Sequence, residues 1–401
     1  MRDAVGIAIS RHPDVSRASA AVAQSQAEVE VEKAAWYPKL EYGVRPGYGG
    51  GFGSGGNSAG ARASLGVNQL VYDFGRASNR ISAADATLNR EKYLRADTVE
   101  TVAYSTASTF VELAASQDVI SAAKRQVEAL RKTRGKIADR VKAGLSVASD
   151  GNLADVAILR AEAEVLRAST RFDVAASKLA ELIGVRPAQV AELADTASLV
   201  RRLGADRPMV AEGAIDQTPA VLAANAAMEA ADAKTRLADA ERFPSIGIGA
   251  SHAASTGRAN ASDDTWVGLS VIGSFSMGGL AQHRVAAARA SLLAARESLE
   301  NQRLVTRSAL TAAEAEAAGA AARLAGYERI IALSLASRDL YWQEYMFNKR
   351  SLTEVLNPER DIFLAEVEWT NAVADSVLAR IKAHVAIGRF VELLREESHS
   401  E

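Results

Sequence analysis

Prolines are placed so that most of the chain is free of them. The eight prolines of the 401-residue sequence leave two long proline-free stretches, 47–186 and 245–357. Both stretches are rich in alanine, the residue with the highest helix propensity, whereas proline inside a helix removes a hydrogen bond and clashes with the preceding turn. Two very long helices are therefore predicted, at 76–143 and 279–347. Heptad-spaced apolar residues in the first of them predict coiled-coil packing.

The proline positions also reveal an internal repeat. Pro13 and Pro38 recur as Pro219 and Pro244 with the same displacement, and the segments around them are similar. Self-similarity of this kind indicates one structural unit that is written twice. The predicted divisions are 1–185 for the first repeat, 186–213 for a linker, 214–394 for the second repeat and 395–401 for a tail.

Each repeat has the same predicted order of elements. An opening helix ends at an aromatic-proline step, and two strands follow as a hairpin because apolar and small polar residues alternate there. The long helix comes next, and after a short turn a shorter helix returns. In the second repeat, the returning helix is predicted to begin at Asn357 as N-cap, with Pro358 in its first turn. The remaining predicted bounds are 37–48, 63–74, 243–254 and 264–277 for the strands, and 152–184 and 357–392 for the returning helices.

A glycine-rich stretch contains the spacing G-x-G-x-x-G at Gly51, Gly53 and Gly56. A dinucleotide-binding loop of that spacing needs a strand before it and a helix directly after it. Here the residues that follow are strand-like. The stretch is therefore predicted to be a hairpin loop, and the alternative of a soluble enzyme that binds phosphate with it has no support from the flanking sequence.

Composition excludes several classes of function. The formal net charge is -2, which argues against nucleic acid as a partner and against a polybasic membrane patch. The sequence has no cysteine and only five histidines, and the histidines show no ligand spacing. No catalytic residue, metal site or cofactor is therefore predicted. The N-terminal sequence lacks a signal-peptide core, which fits either a cytosolic protein or a mature chain.

The predicted hairpins favour a membrane location. Strand edges require partners. The predicted helices pack against one another as long rods and leave none to cover the strands. A closed barrel assembled from several chains would pair the edges, turn apolar residues towards lipid and turn serine and glycine towards a lumen. Strands of about ten residues suit a tilted membrane crossing. Three chains would supply a barrel wide enough for a water-filled pore.

The duplicated order of helix, hairpin, long helix and returning helix resembles the TolC family of outer-membrane channels. The resemblance is carried by the segments YPKL, NQLVYDFGRA, RVKAGLSVASD and YMFNKRSLTEVLNPERD, and it covers nearly the whole chain. It implies a mainly α fold with a small β part and two tandem repeats. It also implies a homotrimer, in which an α-barrel tunnel is capped by a 12-stranded transmembrane β-barrel. The location implied is the outer membrane of a Gram-negative bacterium, with an extension into the periplasm.

The resemblance further implies a passive exit duct of a tripartite efflux or type I protein secretion system. Its partners would be a periplasmic adaptor (membrane fusion) protein, an inner-membrane transporter (ABC or proton-driven) and outer-membrane lipid. The YDFGRA turn is more similar to the secretion-associated branch. The alternative is a cytosolic coiled-coil scaffold protein without channel activity, which leaves the four alternating strands unexplained.

The resemblance also implies a gate at the turns that follow the long helices. In the family, a tyrosine and an arginine of the second repeat contact an aspartate of the first. The matching residues are Tyr345, Arg350 and Asp150, with Ser149 beside the aspartate. The repeat itself places Asp150 and Arg350 on neighbouring turns, where a charge-assisted hydrogen bond can form. The alternative is that these are solvated loop charges.

A second pair of residues matches positions that form acidic rings in the pore of the family. These are Glu354 and Asn357. Three Glu354 carboxylates in a trimer would favour cations and disfavour anions. Asn357 departs from the acid that the family commonly has there, which predicts weaker block by cations or metals. The alternative for Glu354 is an ordinary acid near a helix N-terminus.

Overall fold

In the described part of the chain, the fold is mainly helical with one sheet. The computed structural model describes residues 1–49, 58–202, 213–256, 262–274 and 276–396. Gly51, Gly53 and Gly56, on which the hairpin-loop prediction rests, lie outside these residues. So do residues 203–212 of the predicted linker and residues 397–401 of the predicted tail.

From the helix that precedes the hairpin to the returning helix, helices and strands follow one another in the same order in the two repeats. In chain order they are α1 (Arg2–Arg11), α2 (Pro13–Lys33), β1 (Lys39–Gly49), β2 (Ser58–Tyr72), α3 (Arg76–Lys142), α4 (Ala148–Ile183), α5 (Leu193–Arg202), α6 (Pro219–Ala240), β3 (Ser245–Thr256), β4 (Ser262–Ile272), α7 (Leu280–Met346), α8 (Leu352–Ala386) and α9 (Phe390–Glu396). The long helices α3 and α7 each have 67 residues. None of the helices described combines the length and the hydropathy that a membrane crossing requires.

The chain divides into two compact units. The helical unit comprises Met1–Arg17, Ala96–Pro219 and Arg303–Glu401, and the sheet unit comprises Ala18–Arg95 and Ala220–Gln302. Each unit contains residues of both repeats, because each long helix contributes to both units. The turns that the sequence singles out belong to the helical unit, whereas all four strands belong to the sheet unit.

The four strands form one antiparallel sheet in the order β1-β2-β3-β4. The two hairpins join through β2 and β3, whose register pairs Leu65 with His252 and Val67 with Ala250. Within the described residues, β1 and β4 are edge strands that pair on one side only. Large apolar side chains are exposed on the sheet, with Tyr42 at 85% and Val267 at 73% of their full accessibility.

The core of the helical unit is centred on Phe390, which is fully buried. Apolar residues of α1, α3, α5, α8 and α9 surround it. Two predicted boundaries are corrected here. The predicted linker 186–213 contains a helix, α5, because Leu193 and Val200 pack into this core. The predicted returning helix 357–392 ends earlier, at Ala386, because Gly388 has a positive φ of 67° that stops it before α9.

Candidate functional site

The turn after α3 closes with a Schellman motif. The amide of Gly144 donates to the carbonyl of Val141 (3.0 Å), and the amide of Leu145 donates to the carbonyl of Arg140 (2.9 Å). Gly144 has φ of 71°, a left-handed conformation that glycine adopts without steric cost. The motif fixes the direction in which the chain leaves α3.

The turn after α7 repeats this motif with asparagine in place of glycine. The amide of Asn348 donates to the carbonyl of Tyr345 (2.9 Å), and the amide of Lys349 donates to the carbonyl of Glu344 (3.0 Å). Asn348 has φ of 56°, and asparagine is among the few residues that tolerate this region. The two repeats therefore end their long helices with the same geometry.

The helix after this second turn begins with a capping box. The Ser351 hydroxyl accepts from the amide of Glu354 (3.4 Å), and the Glu354 carboxylate accepts from the amide of Ser351 (3.0 Å). The prediction that α8 begins at Asn357 is therefore wrong. Pro358 lies inside α8, because the capping box satisfies the first amides of the helix several residues earlier.

The helix after the first turn begins without such a cap. It starts at Ala148, rather than at the predicted residue 152, and its N-cap Val147 offers no side-chain acceptor. Asp150 is the third residue of α4, as Glu354 is of α8, but Asp150 has no capping box to join. Its carboxylate instead accepts a hydrogen bond of 2.8 Å from the Tyr345 hydroxyl. This bond joins the two turns.

Tyr345 is the centre of the joined turns. Only 5% of its surface is exposed, and it packs with Ile137, Leu352 and Val355. Its hydroxyl also lies 3.0 Å from the Ser146 hydroxyl. Burial is the main cause that raises the pKa of Tyr345. The phenol therefore keeps its proton and donates a hydrogen bond to the Asp150 carboxylate.

Arg140 lies beside Tyr345 and is itself 8% exposed. Its guanidinium donates to the Ser146 hydroxyl (3.1 Å), to the Leu145 carbonyl (3.2 Å) and, at longer range, to the Asn348 amide oxygen (3.5 Å). It also lies over the Tyr345 ring, 5.2 Å from the centroid. One side chain thus contacts both turns. Sequence reasoning missed Arg140 and Ser146, because a single arginine and a single serine near the end of a helix have no spacing that marks a site.

Arg350 is placed differently from the prediction. Within one chain its guanidinium does not contact Asp150. It pairs with Glu344 and with Glu354 (3.1 Å) and lies over the Tyr341 ring at 3.7 Å. The hydrogen bond that Arg350 donates to the Glu344 carboxylate is the main cause that raises the pKa of Arg350.

The other predicted site residues lie apart from the Tyr345 hydroxyl. Ser149 is exposed, and the hydroxyl that reaches Tyr345 comes from Ser146. The backbone hydrogen bond from Ser351 is the main cause that lowers the pKa of Glu354, so this carboxylate is ionised. Asn357 lines an open groove of about 520 Å³. Across the described residues, no group of side chains could hold a metal ion.

The two turns are held together by weak contacts, which are called here the latch. Their polar contacts are short but few, and each net hydrogen bond of this type contributes about 1 kcal/mol. The link between Asp150 and Tyr345 connects helices of different repeats.

Comparison with known proteins adds a family to this geometry. A family model described as outer membrane efflux protein matches residues 4–185 and 210–388, which cover both repeats. Protein CyaE of Bordetella pertussis is 25% identical to this chain over 336 residues, covering 78% of this chain and 68% of that protein.

Solved structures share the fold. A structure of CusC aligns with a TM-score of 0.84 at 16% identity, covering 96% of this chain and 91% of that chain. The outer membrane protein VceC from Vibrio cholerae aligns with a TM-score of 0.82 at 15% identity, covering 96% and 95%. These likenesses confirm the predicted fold class, a mainly α chain of two repeats with a small β part.

Proposed function

The chain belongs to the outer membrane efflux protein family, and we propose that three copies of it form a passive channel-tunnel, gated at the turns after α3 and α7. Members of this family are transport ducts without enzymatic activity, so the enzyme alternative is excluded. The proposed duct is the exit of a tripartite efflux or type I secretion system. Its proposed partners are a periplasmic adaptor and an inner-membrane transporter.

The observation that carries this proposal is the open sheet. Among the described strands, β1 and β4 each leave one edge without a partner, and unpaired edges associate with other strands. One face of the same sheet exposes large apolar side chains such as Tyr42 and Val267. Three sheets joined edge to edge would supply the twelve strands of a closed barrel, with that face towards lipid. A cytosolic coiled-coil scaffold would leave both the edges and the face uncovered.

For the gate, we assign the closed state to the bond between Asp150 and Tyr345. Ser146 and Arg140 support that bond through the contacts described above. Arg350 and Ser149 are proposed to act next to it, where a neighbouring copy would come close. The Glu354 residues of the three copies are proposed to form a charged ring in the pore, with Asn357 beside each of them. Arg350 lies against Glu354 and offsets part of its charge. The preference for cations at this ring is therefore expected to be slight.

Breaking the latch should open the channel. Tyr345→Phe and Asp150→Asn each remove the hydrogen bond of 2.8 Å, which contributes about 1 kcal/mol. Either change should raise the mean conductance of single channels in a planar bilayer about fivefold. The double variant should add little, because both changes remove the same bond.

Asp155→Asn is the matched control for this experiment. Like Asp150→Asn, this change removes one negative charge from α4. The partner of Asp155 is Arg134 (2.7 Å), which lies on α3 of the same repeat, so the bond between Asp150 and Tyr345 stays intact. An unchanged conductance in both Tyr345→Phe and Asp150→Asn would contradict the gate. Absence of any conductance, or a monodisperse monomer in buffer without detergent, would contradict the channel itself.

A further inference from the structure

Alternation divides the side chains of the sheet between two faces. Leu40, Tyr42 and Val44 of β1 share one face with Val267 and Leu269 of β4, as the strand register requires. The opposite face, called here the polar face, is built mainly from glycine and serine. The charged residues of its described strands are Lys39, Glu41, Arg45, Arg62 and Asp264.

Two of these charges are direct neighbours of the same sign. Arg45 and Arg62 are register partners in β1 and β2, and side chains at such positions have Cβ atoms about 5 Å apart. Both arginines are exposed. Neither guanidinium group takes part in a hydrogen bond or an ion pair with any residue that the structure describes. Like charges placed directly opposite each other destabilise a sheet. This pair therefore lowers the stability of the sheet.

The acids of the polar face are too far away to neutralise the pair. Glu41 is four residues before Arg45 along β1, about 13 Å away at the usual rise of a strand. Asp264 lies on β4, two strands from Arg62, which is about 10 Å at the usual strand spacing. Both distances exceed the Debye length of about 8 Å at physiological salt. Among the described residues of one chain, the two guanidinium groups therefore form an uncompensated double positive charge.

We propose that Arg45 and Arg62 form an anion-attracting site on the polar face, which binds the carboxylate, phosphate or sulfate groups of solutes that pass through the channel. The inference rests on the proposed function, in which the polar face lines the lumen. Guanidinium groups bind such oxyanions with two parallel hydrogen bonds. Three copies would place six guanidinium groups around the passage, and the focused positive potential would enrich anions there.

The acid proposed for the pore ring opposes this preference only weakly. Arg350 lies 3.1 Å from Glu354, the acid proposed for the pore ring, and offsets part of its charge. Lipid headgroups are not the expected ligand, because the apolar residues that would face lipid lie on the other side of the sheet. The expected ligand is therefore a dissolved anion in transit.

The test is the ion preference of the open channel. The full-length protein is placed in a bilayer of neutral phosphatidylcholine, and the reversal potential is measured in a KCl gradient. Wild type should prefer chloride over potassium, and Arg45→Gln with Arg62→Gln should lower the ratio of the two permeabilities several-fold. The preference of the wild type should also fade at molar salt, where the Debye length is about 3 Å.

Lys39→Gln is the matched control. Lys39 lies on the same face of the same strand as Arg45, six residues away and about 20 Å along β1, so this change removes one positive charge but leaves the pair intact. It should keep most of the chloride preference. An equal loss in Lys39→Gln and in the double variant would overturn the proposal, and so would a wild type that prefers potassium.

A second measurement separates this inference from the proposed duct. Binding of inorganic triphosphate to the detergent-solubilised protein at low salt is followed by calorimetry, and it should be lost in the double variant alone. Binding of this kind without any conductance would support the anion site and contradict the duct. Conductance without ion preference and without triphosphate binding would contradict the anion site and leave the duct standing. Absence of both would overturn both.

Discussion

Replacing Glu100 with glutamine is expected to remove a pH dependence of stability of about 3 kcal/mol. Glu100 lies on α3 and is 6% exposed. One carboxylate oxygen accepts from the amide of Val391 (3.2 Å), and the other is buried without a hydrogen-bond partner in the described structure. Burial is the main cause that raises the pKa of Glu100 to about 7, and the charges of Asp97 and Glu392 contribute to this rise, whereas the backbone hydrogen bonds of Val391 and Phe390 act against it.

The direction of the effect follows from the two pKa values of Glu100. Its ordinary pKa is 4.5, so between that value and about 7 the folded state holds the proton while the unfolded state has lost it. Glu100 therefore stabilises the fold most at low pH, and this contribution is lost as the pH rises through that window. At pH 8 the buried Glu100 carboxylate is ionised, so the Glu100→Gln variant should be more stable than the wild type. Near pH 4.5 the two proteins should differ little in their free energy of unfolding.

Denaturant unfolding of the detergent-solubilised protein across this pH range would measure the effect. The matched control is Glu112→Gln, because Glu112 lies on the same helix but is exposed, with Lys178 at 3.8 Å. Its stability curve should run parallel to that of the wild type. Parallel curves for wild type and Glu100→Gln would show that Glu100 titrates normally in the folded protein.

Arg140→Ala is expected to open the channel more than the loss of Arg350 does. The change removes the donors to Ser146, Leu145 and Asn348 and the packing against Tyr345. Hydrogen bonds from a charged group contribute more than neutral ones, so the joined turns should lose about 2–3 kcal/mol. The ratio of open to closed time of single channels should therefore rise about thirtyfold or more.

Two variants make this prediction specific. Arg350→Ala removes contacts that stay within one turn and its helices, to Glu344, Glu354 and Tyr341, so its effect on conductance should be smaller. Arg140→Lys keeps the charge but not the planar fork, and it should restore only part of the closed state. A larger effect of Arg350→Ala would show that the gate depends on contacts between copies of the chain.

The sequence contained most of the information on the long helices. Proline-free, alanine-rich sequence has few alternatives to a helix, and α3 (Arg76–Lys142) and α7 (Leu280–Met346) lie within one residue of the predicted bounds. The start of α8 was harder to predict from the sequence, because two possible helix starts compete there. Asn357 with Pro358 has the composition of a helix start, but Ser351 and Glu354 form a complete capping box earlier, and the first satisfied amides decide the boundary.

The candidate site was only partly accessible from the sequence. The repeat and the resemblance directed attention to Asp150 and Tyr345, which the structure brings together. The partners of Arg350 depend on side-chain directions that no spacing rule gives, since Glu344 and Glu354 compete with Asp150 for the same guanidinium. Arg140 has no sequence signature at all. Its role arises from burial among neutral acceptors, which only the packed turns create.

The open edges of β1 and β4 determine whether mutations in them are genetically dominant or recessive. In the proposed ring, every chain completes two neighbours at once, so a copy whose β4 edge cannot pair would spoil any ring that it enters. A cell that makes sound and faulty copies in equal amounts would have at least one faulty copy in about seven of eight rings. Mutations along these two edges should therefore behave as genetically dominant, whereas mutations that prevent synthesis of the chain should be recessive.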